Sequence, residues 1–243
     1  MTAALDPTLA WCLLIVTIGG LVRGTRGFGA AMVMAPPLAL LLGAKTAVPV
    51  TLLLEAFAAL PMMPAAAALA RWRVMLPISL TAMLAVPAGG VLLALASPLT
   101  LRRGIALTVV VFSLAMLSGR RYSGAQRLGT SLAVGALSGA MLGATSIGGP
   151  PVILYLLSGP DPVAVTRANL TLYVMLLSAV GLVVIGLQGL LGGPTLQTAA
   201  WMSLPFVGGV LVGSRLFARF SDQRFRQFTM VFMFAVSLGV LLA

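Results

Sequence analysis

Residues 128–160 read LGTSLAVGALSGAMLGATSIGGPPVILYLLSGP, an uncharged stretch with a glycine- and proline-rich interruption near its middle. The glycines at 148 and 149 let the backbone turn, and a proline suits the first turn of a new helix. Inside a membrane, such a break persists only where it lines a cavity or is packed in protein. The stretch therefore predicts two short helices joined inside a membrane protein.

The composition of the whole chain favours the same environment. Of its 243 residues, 60% are hydrophobic and 8% are charged, whereas soluble domains carry about 25% charged residues. The net charge is +11, and its bases cluster in short gaps between apolar runs, as in the loops of inner-membrane proteins. No polar face exists to bind nucleic acid. We predict an all-α polytopic protein of the cell inner membrane, with the lipid bilayer as a partner.

The residue counts exclude several functions. The chain has no histidine and a single cysteine, Cys12, so it has no internal disulfide, no Ser-His or Cys-His nucleophile pair and few ways to bind zinc. It also lacks a phosphate-binding loop of the Gly-x-x-x-x-Gly-Lys-Ser/Thr type. We expect no enzyme, no cofactor, no metal site and no direct use of ATP.

A second interrupted segment lies near the N-terminus. Residues 23–29 read RGTRGFG, and an offset of 114 residues pairs Gly29 with Gly143 and Pro36-Pro37 with Pro150-Pro151. This similarity predicts two repeats of about 115 residues, each with one broken segment and three plain spans. The predicted first repeat is 1–118 (broken segment 8–43, spans 47–70, 74–96 and 101–118), and the second is 119–243 (broken segment 129–158, spans 166–187, 196–214 and 225–243).

The distribution of basic residues bears on topology. If each broken segment is a re-entrant hairpin, ten of thirteen loop bases lie on one side; if each crosses once, the best split is eight of thirteen. The hairpin arrangement obeys the positive-inside bias better and makes the two repeats inverted, a common transporter plan. Full crossings remain an alternative.

The two breaks are the predicted binding site for an anion. Helix N-termini attract anions, and Arg23 and Arg26 beside the first break add guanidinium donors that fit oxyanions. The alternatives are a proline kink for packing and snorkelling arginines. The predicted substrate-binding residues are Arg23, Thr25, Arg26, Gly27, Phe28, Gly29, Thr145, Ser146, Gly148, Gly149 and Pro150.

Glu55 is the one acidic residue inside a plain predicted span. An ionisable group inside a membrane is costly and is usually functional or paired. Glu55 is therefore either a candidate for a coupling proton or a structural partner of Arg23, Arg26 or Lys45.

Both motifs carry a family resemblance. The first is Gly20, Gly27-Phe-Gly29 and Pro36-Pro-Leu38, and the second is Gly139 and Gly148-Gly-Pro-Pro151 followed by Val-Ile-Leu-Tyr155. With the length and the span count, they resemble the TauE/SafE family of sulfite exporters, also called the sulfonate uptake permease group. Ala30-Ala31 departs from it, because many members continue with glycine there.

The resemblance implies transport of sulfite, sulfonates or related organosulfur anions. We therefore expect a secondary transporter that holds a small anion at the membrane midplane between the two breaks. A passive anion channel and a carrier of small carboxylates are the alternatives. The sequence leaves open the substrate, the direction, the coupling ion and the oligomeric state, for which a homodimer is one arrangement.

Overall fold

The computed structural model describes residues 7–118, 127–157, 159, 161–217 and 222–242, without the side chains of residues 26, 163, 216, 217 and 222–229. These residues form α-helices, one 3-10 turn and short connections. The helices are α1 (Pro7–Arg26), α2 (Ala30–Leu42), α3 (Ala44–Ala59), α4 (Met63–Leu69), α5 (Trp72–Leu95), α6 (Pro98–Leu117), α7 (Leu128–Thr145), α8 (Gly149–Leu156), α9 (Val163–Leu187), α10 (Gly193–Phe217) and α11 (Asp222–Leu242).

Seven helical stretches of the described chain are long and apolar enough to cross a membrane. Each has at least 18 residues, close to the roughly 20 residues that span about 30 Å of hydrocarbon. The prediction of an all-α, multi-pass membrane protein is confirmed. Each of the six predicted plain spans begins and ends within three residues of an observed helix or helix pair.

Local sequence explains where the helices begin and where they are interrupted. The run from Ala44 to Leu69 contains a 3-10 turn at Leu60–Met62, which includes Pro61 and precedes Pro64, because proline removes a helical donor and clashes with the preceding turn. Helix α6 begins with proline at its first position, and the Ser97 hydroxyl accepts the backbone N–H of Thr100 at 3.2 Å. That contact is an N-terminal cap.

Both broken segments fold back on themselves. Ser131 near the start of α7 and Tyr155 in α8 share a hydrogen bond of 2.7 Å between their hydroxyls. In a continuous helix, 24 residues would separate them by about 36 Å, far beyond the reach of the two side chains. Helix α8 therefore runs back along α7. In the first segment, a methyl group on Gly19 would collide with the Met34 side chain, so α2 returns along α1.

When the two broken segments are aligned by their proline pairs, as predicted from the sequence, the two breaks do not coincide. Pro36 and Pro37 lie in the middle of α2, whereas Pro150 and Pro151 lie in the first turn of α8. Gly29 and Gly148, which immediately precede the second helix of each segment, are 119 residues apart. The offset of 114 residues instead pairs Gly29 with Gly143, which is inside α7.

The helices connect two ends of the bundle, which we call the Lys45 end and the Arg71 end. At the Lys45 end, the Lys45 ammonium donates to the Ala94 carbonyl at 2.8 Å, so α3 begins where α5 ends. At the Arg71 end, the backbone N–H of Arg71 donates to Asn169 Oδ1 at 2.9 Å, and the Arg71 guanidinium pairs with Asp161. Helix α9 therefore begins at the Arg71 end, beside the start of α5.

Two pairs of helices pack through glycine. On α7, Gly139 and Gly143 lie against the backbone of α5 so closely that a Cβ atom on either would overlap a carbonyl oxygen of α5. Gly20 and Gly24 of α1 lie in the same way against α10. Glycines four residues apart let membrane helices approach closely, which gains dispersion contacts. In each pair, residue numbers increase in the same direction along both helices, so the paired helices are parallel.

Candidate functional site

The first break lies where the sequence predicts it. Helix α1 ends at Arg26 and α2 begins at Ala30. Gly27 has φ 78° and Gly29 has φ 92°, conformations that glycine adopts without the penalty a side chain imposes. Phe28 between them is half-buried. The two glycines therefore reverse the chain between α1 and α2.

The second break is held by side-chain hydrogen bonds. Ser146 has φ 61°, and the backbone N–H of Ile147 donates to the Thr145 hydroxyl at 3.2 Å. The Gly148 carbonyl accepts from the Ser138 hydroxyl, which in turn accepts from Tyr173 at 2.6 Å. This chain of hydroxyls fixes the position of the break relative to both α7 and α9.

The two breaks differ in the backbone donors that they offer. Pro150 and Pro151 occupy the first turn of α8 and have no N–H groups. The N-terminus of α8, which the sequence predicts to attract anions, therefore offers fewer backbone donors than a helix that begins without proline. Helix α2 begins with Ala30, Ala31 and Met32, all of which carry an N–H group. The donor-rich helix end is thus the one at the first break.

A buried ion pair lies at that helix end. The Arg23 Nη1 and Glu55 Oε2 atoms are 2.9 Å apart, and both side chains are almost fully buried, with 1% and 6% exposed. The other oxygen of Glu55 accepts the backbone N–H of Ala31 at 3.1 Å. The Glu55 carboxylate therefore contacts both a guanidinium and the positive end of α2.

The Arg23 guanidinium has unused donors. Among the described residues, no acceptor satisfies the hydrogen-bond geometry of its Nε, Nη1 or Nη2 atoms, so the contact with Glu55 is a close but poorly aligned ion pair. Buried donors without acceptors are costly and rare. The environment of Arg23 is therefore suited to a further acceptor, such as a ligand oxygen or a water.

One narrow cavity is lined by both breaks. The cavity has a volume of about 30 Å³, which is enough for one or two waters. A larger ligand would fit only if the surrounding residues moved. The side of α9 that faces this cavity carries Tyr173 and Ser178, and Ser178 is buried without a hydrogen-bond partner in the described residues. The cavity is lined by Phe28, Gly29, Ala31, Met32, Glu55, Leu142, Ser146, Ile147, Gly148, Gly149, Pro150, Ile153, Leu170, Tyr173, Val174 and Ser178.

Some of the predicted site residues meet at this cavity and others lie beside it. The residues predicted for the site that border it are Phe28, Gly29, Glu55, Ser146, Gly148, Gly149 and Pro150. Arg23 does not border the cavity itself, but it contacts Glu55, which does. Thr25 is buried and donates to the Val22 carbonyl at 2.9 Å, and Thr145 holds the second break. Gly27 lies against the Arg167 guanidinium. The Arg26 side chain lies outside the described residues.

The residues of α9 that border the cavity were not predicted from the sequence. Leu170, Tyr173, Val174 and Ser178 border the cavity, and they recur at helical spacing on one face of α9. Two polar residues on one face of a long apolar helix are a signal that could have indicated this side of the cavity.

Broken helices that meet at a cavity, inside a bundle of membrane-length helices, recur in many secondary transporters. The chain belongs to the sulfite exporter TauE/SafE family, whose family model matches residues 12–240. No curated protein and no solved structure matches it. The family is one of membrane transporters, in agreement with the prediction that this chain is not an enzyme.

Proposed function

We propose that this protein is a secondary transporter that moves a small sulfur-containing anion, such as sulfite or a sulfonate, across the bacterial inner membrane. The anion binds in the cavity between the two breaks. The observation that carries this proposal is the buried Arg23 guanidinium, whose donors lack aligned acceptors in the described chain, next to a cavity that both breaks line. A guanidinium offers paired donors that fit oxyanions.

The narrowness of the cavity favours a carrier over a passive channel. A channel needs a continuous polar path, whereas apolar side chains such as Met32, Leu142 and Ile153 form much of this lining. A carrier instead alternates between closed and open states around a fixed site. Counterflow in proteoliposomes separates the two, because a carrier exchanges labelled for unlabelled substrate and a channel shows no such stimulation.

A carrier of small carboxylates is the second candidate function. Its specific support is Glu55, because Arg23 and the Ala31 N–H group already hold a carboxylate in this structure. A carboxylate has two oxygens in a plane and a sulfonate has three in a tripod, but each can present two oxygens to the paired N–H groups of a guanidinium. A ligand screen must therefore include both chemical classes.

The first prediction concerns ligand binding. In a thermal-shift screen of the purified protein, we expect sulfite, methanesulfonate or sulfoacetate to raise the melting temperature, because a ligand that binds the folded state stabilises it. The Gly149→Leu variant is the matched control. A Cβ at Gly149 would meet only Ile153 Cδ1, at 3.4 Å, so this variant is expected to fold, while its longer side chain fills the cavity.

Sulfate, thiosulfate, taurine and acetate complete the panel and separate sulfur-containing anions from carboxylates. Stabilisation by acetate but by no sulfur-containing anion would favour the carboxylate carrier. An equal shift in Gly149→Leu would place the ligand elsewhere, and the absence of any shift across the panel would contradict the proposal.

The proposal includes inverted repeats. Helix α1 is parallel to α10, which runs from the Lys45 end to the Arg71 end, and α7 is parallel to α5, which runs the opposite way. The two hairpins therefore enter from opposite ends of the bundle. The packing of α1 on α10 and of α7 on α5 also corresponds when the two predicted repeats are exchanged. Both observations support a duplication with inverted topology.

The second prediction concerns orientation. The described bases near the Arg71 end are Arg71, Arg73, Arg127, Arg167 and Arg215, against Lys45, Arg102 and Arg103 near the Lys45 end. By the positive-inside bias, the Arg71 end faces the cytoplasm. Single cysteines at Ala70 and Pro162, in a Cys12→Ala background, should be protected from an impermeant maleimide added to intact cells, while a cysteine at Leu99 should react.

Labelling of Ala70 and Pro162 from opposite sides would contradict the hairpin topology. Labelling of both from outside would keep the topology but reverse the orientation.

The homodimer stays a prediction of the sequence.

A further inference from the structure

We propose that Glu55 is a tethered anion that occupies the substrate's place in the empty carrier, and that the substrate displaces it only when Glu55 takes up a proton. This inference rests on the proposed function and adds to it a coupling mechanism. It would make the protein a proton-coupled anion carrier in which one side chain links the two ions.

The position of Glu55 is the first argument. Its carboxylate uses the two features of the site that most favour an anion, the Arg23 guanidinium and an N–H group in the first turn of α2. It also borders the cavity lined by both breaks. A substrate anion in this cavity that bound Arg23 would need the same donors, so the two anions compete for one place.

Charge balance is the second argument. With Arg23 and Glu55 both ionised, the buried pair is neutral, and a bound monoanion would leave a net negative charge. The Glu55 side chain is 6% exposed, and a buried carboxylate that has lost its partner is strongly unfavourable. Addition of a proton to one carboxylate oxygen gives a neutral acid and restores neutrality, with the anion as the new partner of Arg23.

The surroundings of Glu55 offer few other groups that could carry this proton. Helices α2 and α7, which pack against α3, contain no ionisable side chain. Helix α9 contributes Tyr173 to the same cavity. Besides Arg23, the charged residues on α3 itself, on α1 and on the other helices packed against α3 within the described chain are Lys45 on α3, Arg26 on α1, Arg73 on α5, Arg102 and Arg103 on α6, Arg167 on α9 and Arg215 on α10. Lys45 donates to the Ala94 carbonyl at the Lys45 end of the bundle, and the others are arginines, which stay charged in proteins.

The geometry of the ion pair also favours displacement over a permanent structural role. In the described chain, the Arg23 N–H groups are not aligned with acceptors. A pair with a purely structural role would be expected to use the two parallel bonds that arginine and a carboxylate can form. The poor alignment leaves donors that an incoming oxyanion can take before Glu55 leaves.

Titration calorimetry of the purified protein tests the proposal. The probe is methanesulfonate if it binds, because its charge is constant across the tested pH range. Otherwise the probe is the tightest-binding anion of the ligand panel. The heat of binding is measured in buffers of different ionisation enthalpy, which gives the number of protons taken up. We expect about one proton per anion, and a Kd that rises about tenfold per pH unit, because a proton is then a reactant.

Glu55→Gln should bind the same anion more tightly, without proton uptake and without that dependence on pH. Asp161→Asn is the matched control, because it removes the same charge from an ion pair outside the cavity, and it should keep the wild-type proton count. The wild-type proton count needs no variant, so the test stands even if Glu55→Gln fails to fold.

Each outcome is informative. Binding with no proton uptake, or proton uptake that persists in Glu55→Gln, would overturn the role of Glu55 while leaving anion transport intact. No binding of any anion by the wild-type protein would overturn the proposed function itself, and the coupling mechanism with it.

Discussion

Arg23→Ala is expected to abolish anion binding and to destabilise the folded protein by about 3–5 kcal/mol, the usual cost of removing one partner of a buried ion pair. The cost arises because Glu55 would remain as a buried carboxylate, contacted by the Ala31 N–H group but without its guanidinium partner. Thermal unfolding in detergent measures the loss of stability, and the ligand panel measures the loss of binding.

The double change Arg23→Gln, Glu55→Gln separates the two effects. Removal of both charges leaves no unpaired ion, so stability should return toward that of the wild-type protein. Binding should stay lost, because the guanidinium donors are absent. Recovery of anion binding in the double variant would contradict direct contact between Arg23 and the anion.

An ion pair of the same chain with one partner open to solvent provides the control for stability. The Arg71 side chain is 54% exposed, whereas that of its partner Asp161 is 5% exposed. Water screens the charge of a half-exposed guanidinium, so Arg71→Ala should cost clearly less stability than Arg23→Ala. A similar loss in Arg23→Ala and Arg71→Ala would mean that burial of the Arg23 pair does not determine its energetic contribution.

The positions of the two breaks were predictable from sequence because membranes constrain backbone conformation strongly. Polar, glycine-rich segments such as residues 23–29 and 143–151 are rare in apolar runs, since each freed backbone group needs a partner. The observed breaks fall within these segments, at residues 27–29 and 146–148. The limits of the helices followed from charge-free windows and from proline and glycine at their ends.

The partner of each ionisable residue was not predictable from sequence alone. Arg23 and Glu55 are 32 residues apart, on helices that do not adjoin along the chain, and the sequence offered Arg23, Arg26 and Lys45 equally as partners of Glu55. The rotation of each helix about its axis decides which side chains meet, and packing with distant helices sets that rotation. The same reason explains why Tyr173 and Ser178 were missed.

The helix pairing did leave a signal in the sequence. Gly20 and Gly24 on α1 and Gly135, Gly139 and Gly143 on α7 recur every four residues, which places them on one helix face. In membranes, such faces mark close helix contacts, and here they pack against α10 and α5. This periodicity was not used in the predictions, but it indicates the faces that pack, although not the helices that they contact.

Gly209→Ala is expected to destabilise the protein strongly. A Cβ at Gly209 would overlap the carbonyl oxygen of Thr17 and approach the backbone nitrogen of Leu21 to 3.1 Å. The obstacle is backbone rather than a flexible side chain, so α1 and α10 must move apart along their length. We expect a loss at or above the upper end of the roughly 1–3 kcal/mol typical of overpacking. Retention of monodisperse protein after heating, measured by size-exclusion chromatography, checks this.

Gly208→Ala is the matched control, one residue away on the same helix. No atom of the described chain lies within 4 Å of a Cβ at Gly208, so this methyl group meets no protein atom. Alanine is favoured over glycine in a helix by up to about 1 kcal/mol, and this variant should therefore be as stable as the wild-type protein or slightly more so. Equal losses in the two variants would contradict close packing of α1 on α10. Because α1 also carries Arg23 into its contact with Glu55, a displaced α1 in Gly209→Ala should weaken anion binding even in the fraction that stays folded.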